Sequence, residues 1–205
     1  NCLKSIRDIA DEIIVVDNDS RDGAKDILLS QYPDVRWLQM DYNAGFARAN
    51  NAGMRIAKGK YYLILNADTL ILDHAIDKSL ALLKQTTGAV GCGVQLLNTD
   101  GTQQISGAHF IRGGLNTLLP LPYAGRLVRY LGYKLKSTIP SVQQVQQDMD
   151  VDWVVGAYML IEAGAAHRSG MFDEDFFMYA EEIEWCARLR RLGRLLLFAE
   201  PKVIH

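Results

Sequence analysis

Ile13-Ile14-Val15-Val16-Asp17-Asn18-Asp19-Ser20 is the stretch on which the fold turns. Consecutive branched apolar residues without alternation predict a strand covered on both faces, as in a parallel sheet. The polar run that stops it, followed by Asp22-Gly23, is turn chemistry, and a helix through Leu29 is expected next. The same grammar repeats downstream. Val35–Met40 predicts a second strand, and Gly45–Lys58 predicts a helix closed by Gly59. Tyr61–Leu65 predicts a third strand, stopping at Asn66-Ala67-Asp68, and His74–Thr86 and Val90–Leu97 predict another helix and strand. Strands alternating with helices define an α/β fold with a largely parallel sheet. Asn1–Ala10 has the character of a helix end, with a strand expected upstream of it.

The texture changes between Gly101 and Gln147, where Gly113-Gly114, Pro120, Pro122 and Pro140 break the pattern. Beyond it, Val151–Ile161 is strand-like, Asp173–Tyr179 leads into a helix running to about Leu192, and Leu195–Phe198 is a last strand. The expected organisation is one domain over 1–205, with a first half at 1–110, a variable excursion at 111–150 and a final part at 151–205. A C-terminal remainder is expected beyond it.

With 49% hydrophobic and 22% charged residues the chain is globular, and a net charge of −2 gives no electrostatic case for nucleic-acid binding. No apolar run approaches the roughly 20 residues of a membrane helix. Cys2, Cys92 and Cys186 are widely spaced and odd in number, which argues against a disulfide framework and a zinc knuckle.

In open α/β sheets ligands bind beyond the carboxyl ends of the strands. Asp17-Asn18-Asp19-Ser20 and Asn66-Ala67-Asp68 both occupy such ends. Each alone is an ordinary strand-to-helix turn; as a pair they mark a site. Gly88, Gly91 and Gly93 do not have the G-x-G-x-x-G spacing of a dinucleotide loop. A bound diphosphate would therefore need a hard divalent cation held by a carboxylate, with Asp68 as the candidate ligand. Glu182 precedes Trp185, Cys186 and Leu189 by three, four and seven residues, which turns it inward on a helix. An inward carboxylate beside a ligand is a candidate general base. Glu181 is expected on the outer face with the Glu184–Arg188 pair.

Four runs together resemble the family 2 glycosyltransferases, within them the bacterial rhamnosyltransferase-type members. They are Ile13–Gly23, Asn43–Gly53, Gly59–Thr69 and Met171–Glu182. The resemblance implies the glycosyltransferase A fold, a mixed, mostly parallel sheet flanked by helices with a Rossmann-like nucleotide-binding half. It implies inverting transfer of a sugar from a nucleotide diphosphate donor, dTDP-rhamnose or a UDP-sugar, to a saccharide or lipid-linked acceptor in bacterial surface polysaccharide synthesis. Carried over by position, Asp17, Asn18, Asn43, Gly45, Arg48, Asn51 and Asn66 hold the nucleotide and donor. Asp68 and His205 hold Mg2+ or Mn2+, Glu182 is the catalytic base, and Trp153, Gly156 and Glu181 face the acceptor. The alternatives are a sugar-nucleotide nucleotidyltransferase and a non-catalytic nucleotide-sugar-binding domain.

Between Gly101 and Gln147 there is no acidic residue, while Arg112, Arg126, Arg129, Lys134 and Lys136 alternate with leucines. Such a segment either packs its leucines on the domain or rests on an anionic membrane surface. The second reading gives a cytoplasmic enzyme, peripheral at the inner face of the cytoplasmic membrane through 111–140.

Overall fold

The computed structural model describes residues 1–110 and 141–205. The basic, leucine-rich segment expected to contact a membrane thus lies outside the described residues. The chain runs through helix α1 (Cys2–Ile6), strand β1 (Ile14–Asp17), α2 (Ala24–Gln31), β2 (Arg36–Gln39), α3 (Gly45–Ile56), β3 (Tyr61–Leu65), β4 (Leu70–Ile71), α4 (Ala75–Gln85) and β5 (Ala89–Leu97). It continues through β6 (Gly107–Ala108), β7 (Ser141–Val142), β8 (Met149–Val151), β9 (Trp153–Val154), β10 (Tyr158–Glu162), α5 (Ala163–Ser169), α6 (Glu181–Leu189) and β11 (Arg194–Ile204).

The central sheet has the order β3-β10-β5-β11-β4, with β8 added along β11. It is mixed. β5 and β11 pair in parallel, whereas β10 runs antiparallel to both β3 and β5, and β4 and β8 run antiparallel to β11. The expectation of a mostly parallel sheet is corrected on this point. A strand buried on both faces is apolar throughout in either direction, so its residues do not report its sense. β1 and β2 form a separate parallel pair, and β7-β6-β9 a small third sheet.

Alternation along the central strands sorts two cores. Met159, Ile161, Leu195 and Leu197 face one side, with Trp185, Cys186 and Leu189 of α6, Ala165 and Ala166 of α5, and Met54 of α3. Tyr158, Leu160, Leu196 and Phe198 face the other, with Ala75, Ile76 and Leu83 of α4 and Ile6 of α1. The sheet is thus sandwiched between helices, the layering that buries both its faces. Gly91 and Gly93 lie inside β5, where a Cβ would come within 2.4 Å of Ile161 Cδ1 and 2.9 Å of Val154. They serve strand packing rather than a phosphate loop. All three cysteines are free, and burial pushes the Cys186 thiol up to about 12. Among the described residues no helix is long and apolar enough to cross a membrane.

Two sequence-level boundaries differ. Val151–Ile161 is not one strand: β9 and β10 are separated by Val155-Gly156-Ala157, where Tyr158 N–H donates back to Val155 O at 3.3 Å. The last strand extends far past Phe198, through a register shift between Phe198 and Lys202 that accommodates Pro201. Proline has no N–H for a ladder, so a strand that carries one continues only across such an irregularity.

Candidate active site

The first corner of the site is the end of β1. Asp17 is buried. Its Oδ1 accepts from Ser20 N–H at 3.2 Å and its Oδ2 from Gln39 Nε2 at 2.5 Å. Burial opposes its charge, but the hydrogen bonds from Ser20 and Gln39 prevail and hold the carboxyl below its ordinary value. An ionised carboxylate has about four acceptor positions, so Asp17 keeps capacity for a further donor. Next to it, Asn18 Nδ2 donates to Asn43 Oδ1 at 2.9 Å, and Asn18 Oδ1 accepts from Ala44 N–H at 2.7 Å. Asn43 Oδ1 also accepts from Gly45 N–H at 3.2 Å. Asn18 and Asn43 thereby lock the entry to α3 against the end of β1.

From there α3 grips the loop that precedes α6. Phe46 N–H donates to Phe177 O at 2.9 Å. Gly45 has φ +79°, and a Cβ on it would lie 2.3 Å from Phe177 O. This is one position where glycine is required. One turn on, Arg48 Nε donates to Glu174 O at 2.9 Å. Asn51 is buried, donating to Phe172 O (2.9 Å) and Glu174 Oε1 (3.0 Å) and accepting from Phe172 N–H (3.0 Å). Arg55 completes the grip on Glu174 at 2.5 Å, and the hydrogen bonds from Asn51 and Arg55 depress the Glu174 carboxyl. Arg48 and Asn51, assigned to the donor from sequence, both bond this loop, and the Arg48 side chain also bonds Tyr42. Asn51 in particular is a brace inside the protein. Glu174, its anchor, was not singled out, although it stands in the acidic run Asp173-Glu174-Asp175.

The loop ends with Tyr179 and Ala180 in left-handed conformation (φ 70° and 71°) and delivers α6. Two of the three carboxylates of its first turn are drawn inward: Glu181 is 4% exposed, and Glu181 Oε2 and Glu182 Oε2 are buried without a hydrogen-bond partner. The sequence expectation of an outward Glu181 is corrected. Glu181 precedes Trp185 by four residues and Leu189 by eight, so it shares their stripe. Glu184 and Arg188 do form the predicted outer pair, with Arg188 Nε to Glu184 Oε1 at 2.7 Å. Burial raises the Glu182 carboxyl above its ordinary 4.5, and the charge of Glu181 adds to this against two backbone hydrogen bonds that lower it. Gly156 sits between Glu182 and α3, where a Cβ would lie 3.3 Å from Phe46 Cζ and 3.9 Å from Glu182 Cβ. Trp153, also expected toward the acceptor, is half-buried in β9 against the α6-side core.

The third corner is the end of β3. Asn66 N–H donates to Ala157 O at 3.1 Å, one residue after Gly156, which ties this corner to the Glu182 corner. Thr69 Oγ1 donates to Asn66 O at 2.7 Å and shapes the turn that leaves the Asp68 side chain 75% exposed. β11 brings His205 alongside, its N–H on Leu97 O at 2.9 Å. His205 Nε2 lies 3.7 Å from Asp68 Oδ1 and 3.2 Å from Asn66 Nδ2. Ligand bonds of about 2.1 Å separate two ligands of one ion by ~3–4 Å. Asp68 and His205 therefore fit a shared divalent cation. Among the described residues no group of three or more His, Cys, Asp or Glu could hold one. Magnesium is usually held by one or two carboxylates, with substrate phosphates and water completing its shell; here Asp68 is the carboxylate and His205 an added nitrogen donor.

The family described as "Glycosyl transferase family 2" matches residues 1–150. The chain is 26% identical over 208 residues to N-acetylglucosaminyl-diphospho-decaprenol L-rhamnosyltransferase of Mycobacterium tuberculosis, covering 94% of this chain and 66% of that protein. It is 28% identical over 185 residues to the low-salt glycan biosynthesis hexosyltransferase Agl10 of Haloferax volcanii, covering 88% of this chain and 53% of the relative. It thus spans about two thirds and about half of the lengths of these relatives. In fold it is similar to GalNAc-T7 solved with UDP, GalNAc and Mn2+ (TM-score 0.69, 14% identity, 100% of this chain and 40% of that one). It is also similar to residues 1–349 of S. aureus TarS in complex with UDP (TM-score 0.66, 14% identity, 100% and 55%). At such identity these two structures speak to the fold alone, the glycosyltransferase A fold. The family match spans nearly three quarters of the chain, which therefore belongs to glycosyl transferase family 2.

Proposed function

We propose that the protein transfers a sugar, with inversion, from a nucleotide diphosphate donor to a hydroxyl of a saccharide or lipid-linked acceptor in surface-polysaccharide synthesis. dTDP-rhamnose and UDP-sugars are the donors in view, the first favoured by the rhamnosyltransferase among the relatives. Asp17 accepts from the base, Asn66 lies toward the ribose, and the Asn18–Asn43–Gly45 lock shapes the wall beside them. Glu182 takes the proton of the acceptor hydroxyl. The freed oxygen forms a bond to the anomeric carbon on the face opposite the nucleotide, and the bond from that carbon to the diphosphate oxygen breaks, its electrons leaving with the nucleoside diphosphate. Asp68 and His205 would hold Mg2+ or Mn2+, whose charge stabilises the departing diphosphate. Glu181 excludes water beside the base and keeps its proton affinity high.

The observation that carries this reading is the pair of buried, unpartnered carboxylate oxygens Glu181 Oε2 and Glu182 Oε2, of which the Glu182 oxygen belongs to the carboxyl that burial pushes up. Leaving such a group unsatisfied costs about 1–3 kcal/mol or more, and a carboxylate kept there with raised proton affinity is the state a general base needs. The test is a panel of nucleotide sugars with and without Mn2+, with the anomeric configuration of the product read by NMR. Metal-dependent transfer with inversion is expected. Retention of configuration, or nucleotidyl transfer in place of sugar transfer, contradicts it.

A further inference from the structure

Gln104, on the turn after β5, is given no role by the motifs, yet the hydrogen bonds around it run in one direction. Asp100 Oδ1 accepts from the Thr102 hydroxyl at 2.6 Å. With that proton committed, Thr102 Oγ1 accepts from Asn98 Nδ2 at 2.7 Å. This turns Asn98 Oδ1 toward Gln104, whose Nε2 donates to it at 2.8 Å and to the backbone oxygen of His205 at 2.6 Å. Two acceptors on the amide nitrogen leave Gln104 Oε1 facing His205 Nδ1 at 3.2 Å. An amide oxygen only accepts, so Nδ1 carries the ring proton and Nε2 carries the lone pair. Asn66 reports the same polarity from the other side, its Nδ2 lying 3.2 Å from Nε2 as a donor. Nε2 also lies 3.7 Å from Asp68 Oδ1, so a cation seated between the two takes the Nε2 lone pair in place of the Asn66 hydrogen bond, which it displaces.

The turn that carries Gln104 is itself pinned. Asn98 N–H donates to Thr102 O (2.7 Å), Gly101 N–H to Asn98 O (2.9 Å), and Gln104 N–H to Leu96 O (2.9 Å). Gly101 supplies the left-handed residue the turn needs (φ +82°). The cradle is therefore built on the end of β5, beside the strand that delivers His205.

We propose that Gln104 is a positioning residue: it fixes the Nδ1–H tautomer and the ring orientation of His205, so that Nε2 stands ready as the second protein ligand beside Asp68. This rests on the metal site of the proposed function. Outer partners of this kind orient a ligating imidazole, and their loss typically weakens metal affinity by about 10–100-fold.

The first test needs no variant of Gln104. The metal-free protein, labelled with 15N in its histidine rings, has four histidines, and the His205 signals are assigned by their absence in His205→Ala. A protonated Nδ1 and an unprotonated Nε2 are expected; a ring protonated at Nε2 overturns the proposal. The second test is Mn2+ binding by electron paramagnetic resonance with UDP or dTDP, whichever binds more tightly. Gln104→Leu is expected to weaken Mn2+ by about 10–100-fold, and Thr102→Val, which frees Asn98, to weaken it less. Loss of Mn2+ binding in His205→Ala with wild-type affinity in Gln104→Leu overturns the positioning role while leaving the metal site standing. Undiminished binding in His205→Ala removes the metal site, and the proposal with it.

Discussion

Gly45→Ala separates backbone strain from the contact that holds the loop leading into α6. The substitution adds a Cβ to a residue at φ +79°, 2.3 Å from Phe177 O. The left-handed conformation alone costs an alanine about 1–2 kcal/mol. The clash adds to this. The carbonyl must retreat by about an ångström, which breaks the Phe46 N–H to Phe177 O bond and forfeits a further ~1 kcal/mol or more. Gly23→Ala is the matched control, since Gly23 has φ +74° and nothing within 4 Å of its would-be Cβ. Urea unfolding followed by circular dichroism should show Gly23→Ala destabilised by about 1–2 kcal/mol. Gly45→Ala should lose about 2–4 kcal/mol on the same scale. Gly45→Ala should also lose turnover, because the displaced loop leads directly into Glu181 and Glu182; Gly23→Ala should not. Equal losses of stability in the two variants would refute the claim that Gly45 exists to admit the loop.

Other outcomes follow from the same geometry. Burial raises the folded-state pKa of Glu182 above 4.5, so its ionised form costs stability, a cost absent below the unfolded pKa and complete once pH exceeds the folded value. Glu182→Gln should therefore raise the melting temperature at pH 8 and leave it little changed at pH 4, and the acidic limb of the wild-type kcat/KM profile should lie above pH 4.5; a destabilised variant at pH 8 contradicts this. Asn51→Leu strips partners from the N–H and C=O of Phe172 and should cost about 2–4 kcal/mol in chemical unfolding; a neutral effect would return Asn51 to the donor site. A separate prediction rests on sequence alone, outside the described residues: if the basic segment 111–140 rests on a membrane, binding to anionic vesicles should weaken with salt and fall by up to ~1 kcal/mol per residue when Arg126, Arg129, Lys134 and Lys136 are changed to Gln, whereas equal co-sedimentation of variant and parent favours leucines packed on the domain.

The sequence carried the strand ends well. An apolar run halted by Asp17-Asn18 or by Asn66-Ala67-Asp68 reports both the strand and the place where ligands gather, because burial and turn chemistry are local. Strand direction is not local. β10 reverses between β3 and β5 with the same buried residues a parallel strand would have. Helical phase placed Glu182 correctly and misplaced Glu181, because the buried stripe of α6 is wide enough at its first turn to take both. The brace of Asn51 on Phe172 and the relay through Gln104 join residues about a hundred or more positions apart. They involve side chains that are common on any surface, so nothing in their spacing reveals them. The family resemblance already names His205 as a metal ligand, but its place beside Asp68 depends on β11, a pairing that no local pattern reports.

The central claim, that Glu182 is the base of a metal-dependent sugar transfer, is tested most directly by steady-state kinetics of Glu182→Gln beside Glu181→Gln with a saturating acceptor. The amide keeps the shape of the side chain and removes its basicity. The account predicts that Glu182→Gln lowers kcat by about 10²–10⁴-fold with donor KM nearly unchanged, and that Glu181→Gln retains most of its turnover. Near-wild-type turnover in Glu182→Gln, or the larger loss in Glu181→Gln, would contradict it.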